Sequence, residues 1–140
     1  MDITIQPGKL GGSVTAIPSK SQAHRLLICA AFAQGETTIF NAGRLRLKES
    51  DRLAAVSETL CRLGADIRVE GDTIKIIGHQ ELSGGTVDSW NDHRIAMMAV
   101  LCAPGCTEPV TVTNAQAVNK SYPGFFDDIE KLGGKTERRD

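Results

Sequence analysis

Apolar residues recur along this chain with two different spacings, and each spacing predicts a different kind of element. Two long apolar runs, 26–33 and 95–103, are rich in alanine and leucine, and a glycine follows each run. Such runs are typical of helices that are buried on nearly all sides and end at a glycine. In 53–63 and 125–132 apolar residues instead recur every three or four positions, which predicts two amphipathic helices.

The ends of the amphipathic helices also carry recognisable signals. Gly64 and Gly133 would end the two helices, because glycine readily adopts the left-handed backbone that closes a helix. Ser121 is a candidate N-cap for the second helix, with Pro123 in its first turn. Between the helices lie short segments that are β-branched or alternate apolar with polar residues, and they predict strands. The predicted strands are 3–6, 13–17, 37–41, 66–70, 73–77, 86–88 and 110–114, with a tight hairpin at Gly71-Asp72.

The order of these elements repeats once along the chain. Residues 12–15 match 85–88, and residues 39–42 match 112–115 at the same offset of 73. Further matches at offsets of 69 to 72 pair His24-Arg25 with His93-Arg94, Lys48 with Lys120, and Leu63-Gly64 with Leu132-Gly133. The repetition predicts an α/β fold in one domain, 1–140, built from two tandem βαβαββ-type units. Unit one would span about 1–78 and unit two about 84–137.

Composition narrows the class of protein but does not define its function. The chain has 16 Lys and Arg against 17 Asp and Glu, a formal net charge of −1. That balance argues against a nucleic-acid or anionic-membrane binder, which normally carries a basic surplus. No apolar run reaches the roughly 18 residues that a membrane helix needs. The first ten residues lack the pattern of a secretory signal, so we expect a cytoplasmic protein.

Four cysteines are present, and we expect all four to be structural thiols. Cys29 and Cys102 lie inside the apolar runs, where cysteines are usually buried, and Cys61 and Cys106 complete the set. Cys102 and Cys106 are close in sequence, but no histidine stands near them at the spacing of a zinc site. We therefore expect no metal site.

Basic residues recur at the predicted starts of all four helices, and this pattern is the basis for predicting an anion-binding site. A helix N-terminus has free N–H groups and a partial positive charge, so added cations there favour an anion-binding cleft. Solvated surface lysines and arginines are the plainer interpretation of any one of these residues. The residues concerned are Lys20, Arg25, Lys48, Arg52, Arg94 and Lys120.

Four longer motifs give the chain a family resemblance. They are residues 18–25 (PSKSQAHR), 47–53 (LKESDRL), 91–97 (NDHRIAM) and 119–123 (NKSYP). In this order they resemble the 3-phosphoshikimate 1-carboxyvinyltransferase (EPSP synthase) family. A sister family that transfers enolpyruvyl to a UDP-aminosugar shares the fold but looks less similar. The resemblance implies one domain of the enolpyruvyl transferase fold, and most of the opposite domain has no counterpart in this chain. The apparent deletion junction falls near 41–44.

The resemblance also implies a reaction and a set of site residues. The reaction implied by the resemblance moves the enolpyruvyl group of phosphoenolpyruvate onto shikimate 3-phosphate, in aromatic amino acid biosynthesis, and needs neither a metal nor an organic cofactor. Catalytic roles would fall to Lys20 and Glu49, with His93 orienting Arg94. Substrate binding would fall to Lys20, Ser21, Arg25, Lys48, Arg52, Arg94 and Lys120.

Three hypotheses remain open for a chain that would hold only half of that active site. It is an enzyme of the family, a folded but non-catalytic anion-binding domain, or a packing domain whose basic residues are solvated. We expect phosphoenolpyruvate and shikimate 3-phosphate as small-molecule partners, no nucleic acid, no membrane, and self-association through apolar surface that half a fold leaves uncovered.

Overall fold

The structure is a computed structural model that describes residues 20–33, 35–48 and 50–138, and the side chains from Arg25 onward within these ranges. It contains four α-helices and five strands in the described part of the chain. The helices are α1 Lys20–Phe32, α2 Arg52–Arg62, α3 His93–Cys102 and α4 Phe125–Lys131. The strands are β1 Gly35–Ile39, β2 Asp66–Glu70, β3 Thr73–Gly78, β4 Gly85–Asp88 and β5 Val110–Thr113. Short 3-10 helices span Ala42–Arg46, Ala103–Gly105 and Ala115–Lys120.

The strands form two small sheets. Strands β1, β3 and β2 form an antiparallel sheet with β3 in the middle, in which Ile39 and Val69 both lie opposite Ile74. Strands β4 and β5 pair in parallel, with Asp88 opposite Thr113 at their carboxyl ends. The predicted α/β class is confirmed, and so is the hairpin at Gly71-Asp72, which joins β2 to β3. The predicted strands at 3–6 and 13–17 lie outside the described residues.

The core lies between the sheets and the helices. On β3 the buried Ile74 and Ile76 point toward the helices, while Lys75 and Ile77 lie on the opposite face. This alternation is what a strand with one buried face requires. The helices contribute Leu27, Leu53, Val56, Leu60, Ile95 and Met98 to the same cluster. A smaller cluster of Ala96, Val118 and Phe125 attaches α4 and the last 3-10 helix to α3.

One landmark of the predicted repeat recurs in three dimensions. Asn41 and Asn114 both have left-handed backbones, with φ of 59° and 54°. Each directly precedes a 3-10 helix, Ala42–Arg46 or Ala115–Lys120, and an α-helix follows each of these in turn. Asparagine tolerates this backbone better than most residues, which explains why the same residue stands at both turns. The residue limits of the two units stay a prediction.

Three local predictions are wrong. Helix α1 is not buried on nearly all sides: Leu27, Ala30 and Ala31 are buried, but Cys29 is exposed. Among the described elements the helix packs on β3 and α3, and Cys29 lies outside this contact and is exposed to solvent. The predicted burial of the thiols likewise fails for Cys29 and Cys61, both exposed, while Cys102 is buried.

The third error concerns the start of α4. Ser121 does not cap this helix. It is the C-cap residue that directly follows the preceding 3-10 helix, and α4 begins only at Phe125, after Gly124. Pro123 disfavours the helical backbone in the residue before it, which is Tyr122. The helix therefore cannot start as early as the serine and proline suggest.

Candidate functional site

A tight turn between β4 and α3 organises the candidate site. Trp90 and Asn91 both have left-handed backbones, with φ of 53° and 51°. Such a conformation is uncommon for a bulky residue and needs support from its surroundings. The Trp90 N–H donates to the Asp88 carboxylate at 2.6 Å, and the Asn91 N–H donates to the Ser89 hydroxyl at 3.1 Å. The turn is thus fixed by side chains from its own strand.

Asp92 follows this turn and joins the starts of two helices. Its Oδ1 accepts a hydrogen bond from the Arg94 N–H at 2.9 Å, which caps α3. Its Oδ2 accepts from Arg52 Nε at 2.7 Å and from the Ser50 hydroxyl at 3.1 Å. The Arg52 and Asp92 side chains are 0% and 1% exposed, so this ion pair is fully buried.

The charge state of Asp92 follows from these contacts. Burial alone raises the pKa of Asp92, because it penalises the charged form. The hydrogen bonds from Arg52, from the Arg94 N–H and from Ser50 outweigh burial, so the pKa lies below its ordinary value. Asp92 is therefore a carboxylate at neutral pH and balances the buried guanidinium.

Both helix starts are capped by the chain itself. Asp51 accepts a hydrogen bond from the Ala54 N–H at 3.0 Å and so caps α2, as Asp92 caps α3. The sequence pattern predicts that free N–H groups at the helix starts contribute to anion binding. At α2 and α3 a carboxylate of the chain already accepts from one of these groups, the Ala54 N–H or the Arg94 N–H, so an external anion depends more on the basic side chains.

Lys120 reaches the same turn from the other side. Its Nζ donates to the Asn91 carbonyl oxygen at 2.6 Å and to Asn91 Oδ1 at 2.8 Å. Lys120 ends the 3-10 helix that follows Asn114, and Asn114 is itself tied to the turn. Asn114 Nδ2 donates to Asp88 at 2.7 Å, and the Ser89 hydroxyl donates to the Asn114 carbonyl at 2.9 Å.

The structure thus brings together four of the residues predicted from the sequence. Arg52 and Lys120 contact Asp92 and Asn91, Arg94 is the second residue of α3 and donates its N–H to Asp92, and His93 Nδ1 lies 3.9 Å from Asp92 Oδ1.

The other predicted residues are less closely tied to the turn or are not described. Arg25 is exposed on α1, and Lys48 is half-buried shortly before α2. The side chains of Lys20 and Ser21, and Glu49 as a whole, lie outside the described residues.

Sequence reasoning missed the residues that hold this site in place. Asn91 and Asp92 belong to a motif that we quoted, yet neither received a role, and Ser50, Asp88 and Asn114 were also passed over. An aspartate directly before a predicted helix is a recognisable capping signal and could have identified Asp92. The pairing of Arg52 with Asp92, 40 residues apart, carries no local signal.

The described ranges contain neither a three-residue group of metal ligands nor a helix suited to span a membrane. There, no three His, Cys, Asp or Glu side chains come close enough together to hold a metal ion. None of the described helices combines the length and apolar character that a membrane span requires.

Comparison with known proteins identifies the family of this chain. The family model described as EPSP synthase (3-phosphoshikimate 1-carboxyvinyltransferase) matches residues 5–43 and 28–129. The chain belongs to the EPSP synthase family. Among its relatives, the 3-phosphoshikimate 1-carboxyvinyltransferase of Clostridium novyi (strain NT) is 52% identical over 109 residues. That match takes in 78% of this chain and 25% of the relative.

Other EPSP synthases show the same partial coverage. The 3-phosphoshikimate 1-carboxyvinyltransferase of Clostridium kluyveri is 41% identical over 136 residues, which is 96% of this chain and 32% of that enzyme. The solved EPSP synthase of Acinetobacter baumannii superposes with a TM-score of 0.72 at 32% identity, over 79% of this chain and 26% of that one. The chain thus spans about a quarter to a third of the length of the EPSP synthases it matches.

Proposed function

We propose that this chain supplies part of the site that transfers the enolpyruvyl group of phosphoenolpyruvate to shikimate 3-phosphate. The observation that carries the proposal is that the Arg52 guanidinium and the Lys120 ammonium contact the Asn91–Asp92 turn, where the backbone N–H of Arg94 also donates to Asp92. Both substrates carry several negative charges, and charge-assisted hydrogen bonds from Lys and Arg are the interactions that recognise such groups. Membership of the EPSP synthase family selects these substrates among other anions.

Each residue has a proposed part in this reaction. Phosphoenolpyruvate would be held through its carboxylate and phosphate by Arg94, Lys120 and Arg52. Arg52 has no exposed surface in the structure, so its direct contact requires the buried guanidinium to become accessible. His93 would orient Arg94, since it lies beside the same cap.

The remaining assignments rest on the family resemblance. Shikimate 3-phosphate would be bound by Lys20, Ser21 and Arg25, with Lys48 on the same side, and Lys20 would also reach phosphoenolpyruvate. Glu49 would take part in proton transfer, next to Ser50, which donates to Asp92. We also propose that the chain works in the cytoplasm without nucleic acid or membrane partners, consistent with its net charge of −1.

We propose that the chain on its own turns over slowly or not at all. Holding two reactants in attack geometry contributes roughly 7–11 kcal/mol to lowering a barrier. Excluding water from the reacting groups strengthens every charged contact within a site. On its own, a chain that covers a quarter to a third of its relatives' length would leave the site open to water. The overlap of the two family matches over 28–43 supports the proposal of a junction near 41–44.

Phosphate release from phosphoenolpyruvate and shikimate 3-phosphate tests this proposal. Steady-state rates are measured on the pure chain over a wide range of protein concentrations. We expect little turnover at low concentration, and a steep rise at high concentration if two chains assemble a cleft. Fast turnover that is independent of concentration would contradict the proposed incomplete site. Absence of both turnover and phosphoenolpyruvate binding would contradict the proposed function itself.

A further inference from the structure

Asn91 makes an unusual double contact with Lys120. Both the carbonyl oxygen and the side-chain oxygen of this one residue accept from the same ammonium group, at 2.6 and 2.8 Å. An ammonium group has three N–H donors and no acceptor. In the described contacts two of these donors are used by Asn91, and the third remains for a ligand. Lys120 is exposed, so a dissolved anion can reach that donor.

The left-handed backbone of Asn91 makes the double contact part of a defined turn. Asn91 has φ of 51°, a conformation that asparagine and glycine adopt more readily than other residues. Its own N–H is held by the Ser89 hydroxyl, and the Asp92 N–H donates to the Ser89 carbonyl at 2.9 Å. The two oxygens that accept from Lys120 therefore belong to one residue whose backbone is held by hydrogen bonds at its own N–H and at the N–H of the next residue.

The other end of the contact is fixed by the same group of residues. Asn114 precedes the 3-10 helix Ala115–Lys120 and is hydrogen-bonded to Asp88 and Ser89. The Asn91 turn and the helix that carries Lys120 are therefore anchored to one another twice, at Asn114 and at Lys120. Lysine is otherwise a flexible side chain with a strongly hydrated charge. Here its position is determined before any ligand arrives.

We infer that Asn91 is a positioning residue, which holds the Lys120 ammonium so that its remaining N–H is presented to the phosphate or carboxylate of phosphoenolpyruvate. The inference rests on the proposed function for the identity of the ligand, but the ordering of Lys120 does not depend on any ligand. Asn91 acts through Lys120 and does not itself bind the anion. Removing its side chain therefore weakens anion binding only while Lys120 is present.

A double-mutant cycle tests this dependence. Asn91→Gly removes Oδ1 but keeps the carbonyl and the left-handed backbone. Asn91→Gly, Lys120→Ala and the double variant are titrated with phosphoenolpyruvate, and Trp90, the single tryptophan of the chain, reports binding by fluorescence. Gln80→Gly removes an exposed amide elsewhere and is the matched control. Circular dichroism confirms that each variant is folded.

The cycle has distinct outcomes. We expect Asn91→Gly to weaken phosphoenolpyruvate binding about tenfold or more, the size expected for one hydrogen bond to a charged group. In the Lys120→Ala background the same change should have less than about a twofold effect, and Gln80→Gly should have none. An equal loss with and without Lys120, or no loss from Asn91→Gly, would overturn the inference.

A second readout needs no ligand and so separates this inference from the proposed function. Side-chain NMR relaxation measures the order of the Lys120 methylene groups in the ligand-free chain. Asn91→Gly should increase the mobility of Lys120 and leave Lys75, which pairs with Glu70, unchanged. If Lys120 is equally mobile with and without the Asn91 side chain, the inference is wrong, whether or not phosphoenolpyruvate binds.

Discussion

At the level of single residues, the Asp92 carboxylate links the backbone of α3 to the side chains that precede and begin α2. It accepts from the Arg94 N–H, from Arg52 and from Ser50, while buried from solvent. A buried ion pair adds little when compared with an apolar pair of the same shape. Losing one partner is different, because the other charge stays buried without compensation. Asp92 is therefore a point where the stability of the fold and the geometry of the site depend on the same atoms.

Asp92→Asn tests this dependence, because asparagine is also a good N-cap and the change removes mainly the charge. We expect the free energy of unfolding to fall by about 3–5 kcal/mol, since the Arg52 charge is left buried. Denaturant unfolding measures the loss. Glu58→Gln, which removes an exposed partner of Arg62, is the control and should change stability by about 0.5 kcal/mol or less. If Asp92→Asn lowered the free energy of unfolding no more than Glu58→Gln does, the buried ion pair would not contribute to the stability of the fold.

Acid stability gives a further residue-scale prediction. Burial raises the pKa of Asp88, but hydrogen bonds from Thr113, Asn114 and the Trp90 N–H outweigh it and place the pKa below its ordinary value. Asp92 is shifted in the same direction. A carboxyl group with a lowered pKa in the folded state contributes stability above its unfolded pKa of about 3.9. That contribution is lost as the pH falls through the folded pKa.

The Asp88→Asn variant isolates one of these two groups. The parent chain should lose stability steadily from about pH 4 downward, and Asp88→Asn should lose it less steeply over the same range. Denaturant unfolding at a series of pH values from 5 to 2 measures both slopes. Equal slopes in the two proteins would mean that Asp88 takes up its proton equally in the folded and unfolded chain.

At the level of elements, the sequence predicted most of the local structure because the signals are local. The 3.6-residue periodicity of 53–63 and the glycine after it match α2 and its end. The burial of α1 could not be predicted, because an apolar run does not say how many layers will pack on it. The start of α4 was wrongly predicted for a similar reason. Ser121 is a residue type that favours an N-cap, but in the structure it is the C-cap of the preceding 3-10 helix.

The candidate site could likewise be predicted only in part. Its cations could be predicted because they lie in recognisable motifs near helix starts. The partners that fix them could not, since Arg52 meets Asp92 and Lys120 meets Asn91 only after the elements have packed.

The end of α2 provides an element-scale prediction. Gly64 has φ of 98°, and a Cβ at this position would collide with Ser83. Gly71 in the β2–β3 hairpin also has positive φ, 59°, but a Cβ there would meet open space. We expect Gly71→Ala to cost about 1–2 kcal/mol of unfolding free energy through backbone strain alone. Gly64→Ala should cost roughly 1–3 kcal/mol more, because of the collision.

Thermal and denaturant unfolding compare these two glycine variants directly. Both substitutions add the same methyl group at a positive φ, but the φ of Gly64 lies outside the left-handed region that residues other than glycine adopt. The difference between them therefore reports on packing against Ser83 together with this additional backbone strain. Equal costs would indicate that Ser83 moves aside freely. In that case the end of α2 would not be fixed by this contact.

At the level of the whole molecule, the chain combines a well-defined core with a candidate site, and it spans about a quarter to a third of the length of the EPSP synthases it matches. The core joins α1, α2, α3 and both sheets in one cluster. The cations around Asn91 and Asp92 are held by contacts within the described residues. We therefore expect anion binding to be retained more fully than turnover.

The location of phosphoenolpyruvate binding tests the central claim most directly. Two-dimensional NMR of the labelled chain during a phosphoenolpyruvate titration reports which backbone amides change. We predict that the shifts concentrate at 48–52, 90–94 and 118–121, and that raising the salt concentration reduces them, because exposed charges are screened. Shifts that are absent, or that centre on the far face of the sheet around Arg68 and Lys75, would contradict the assignment of this turn as the site.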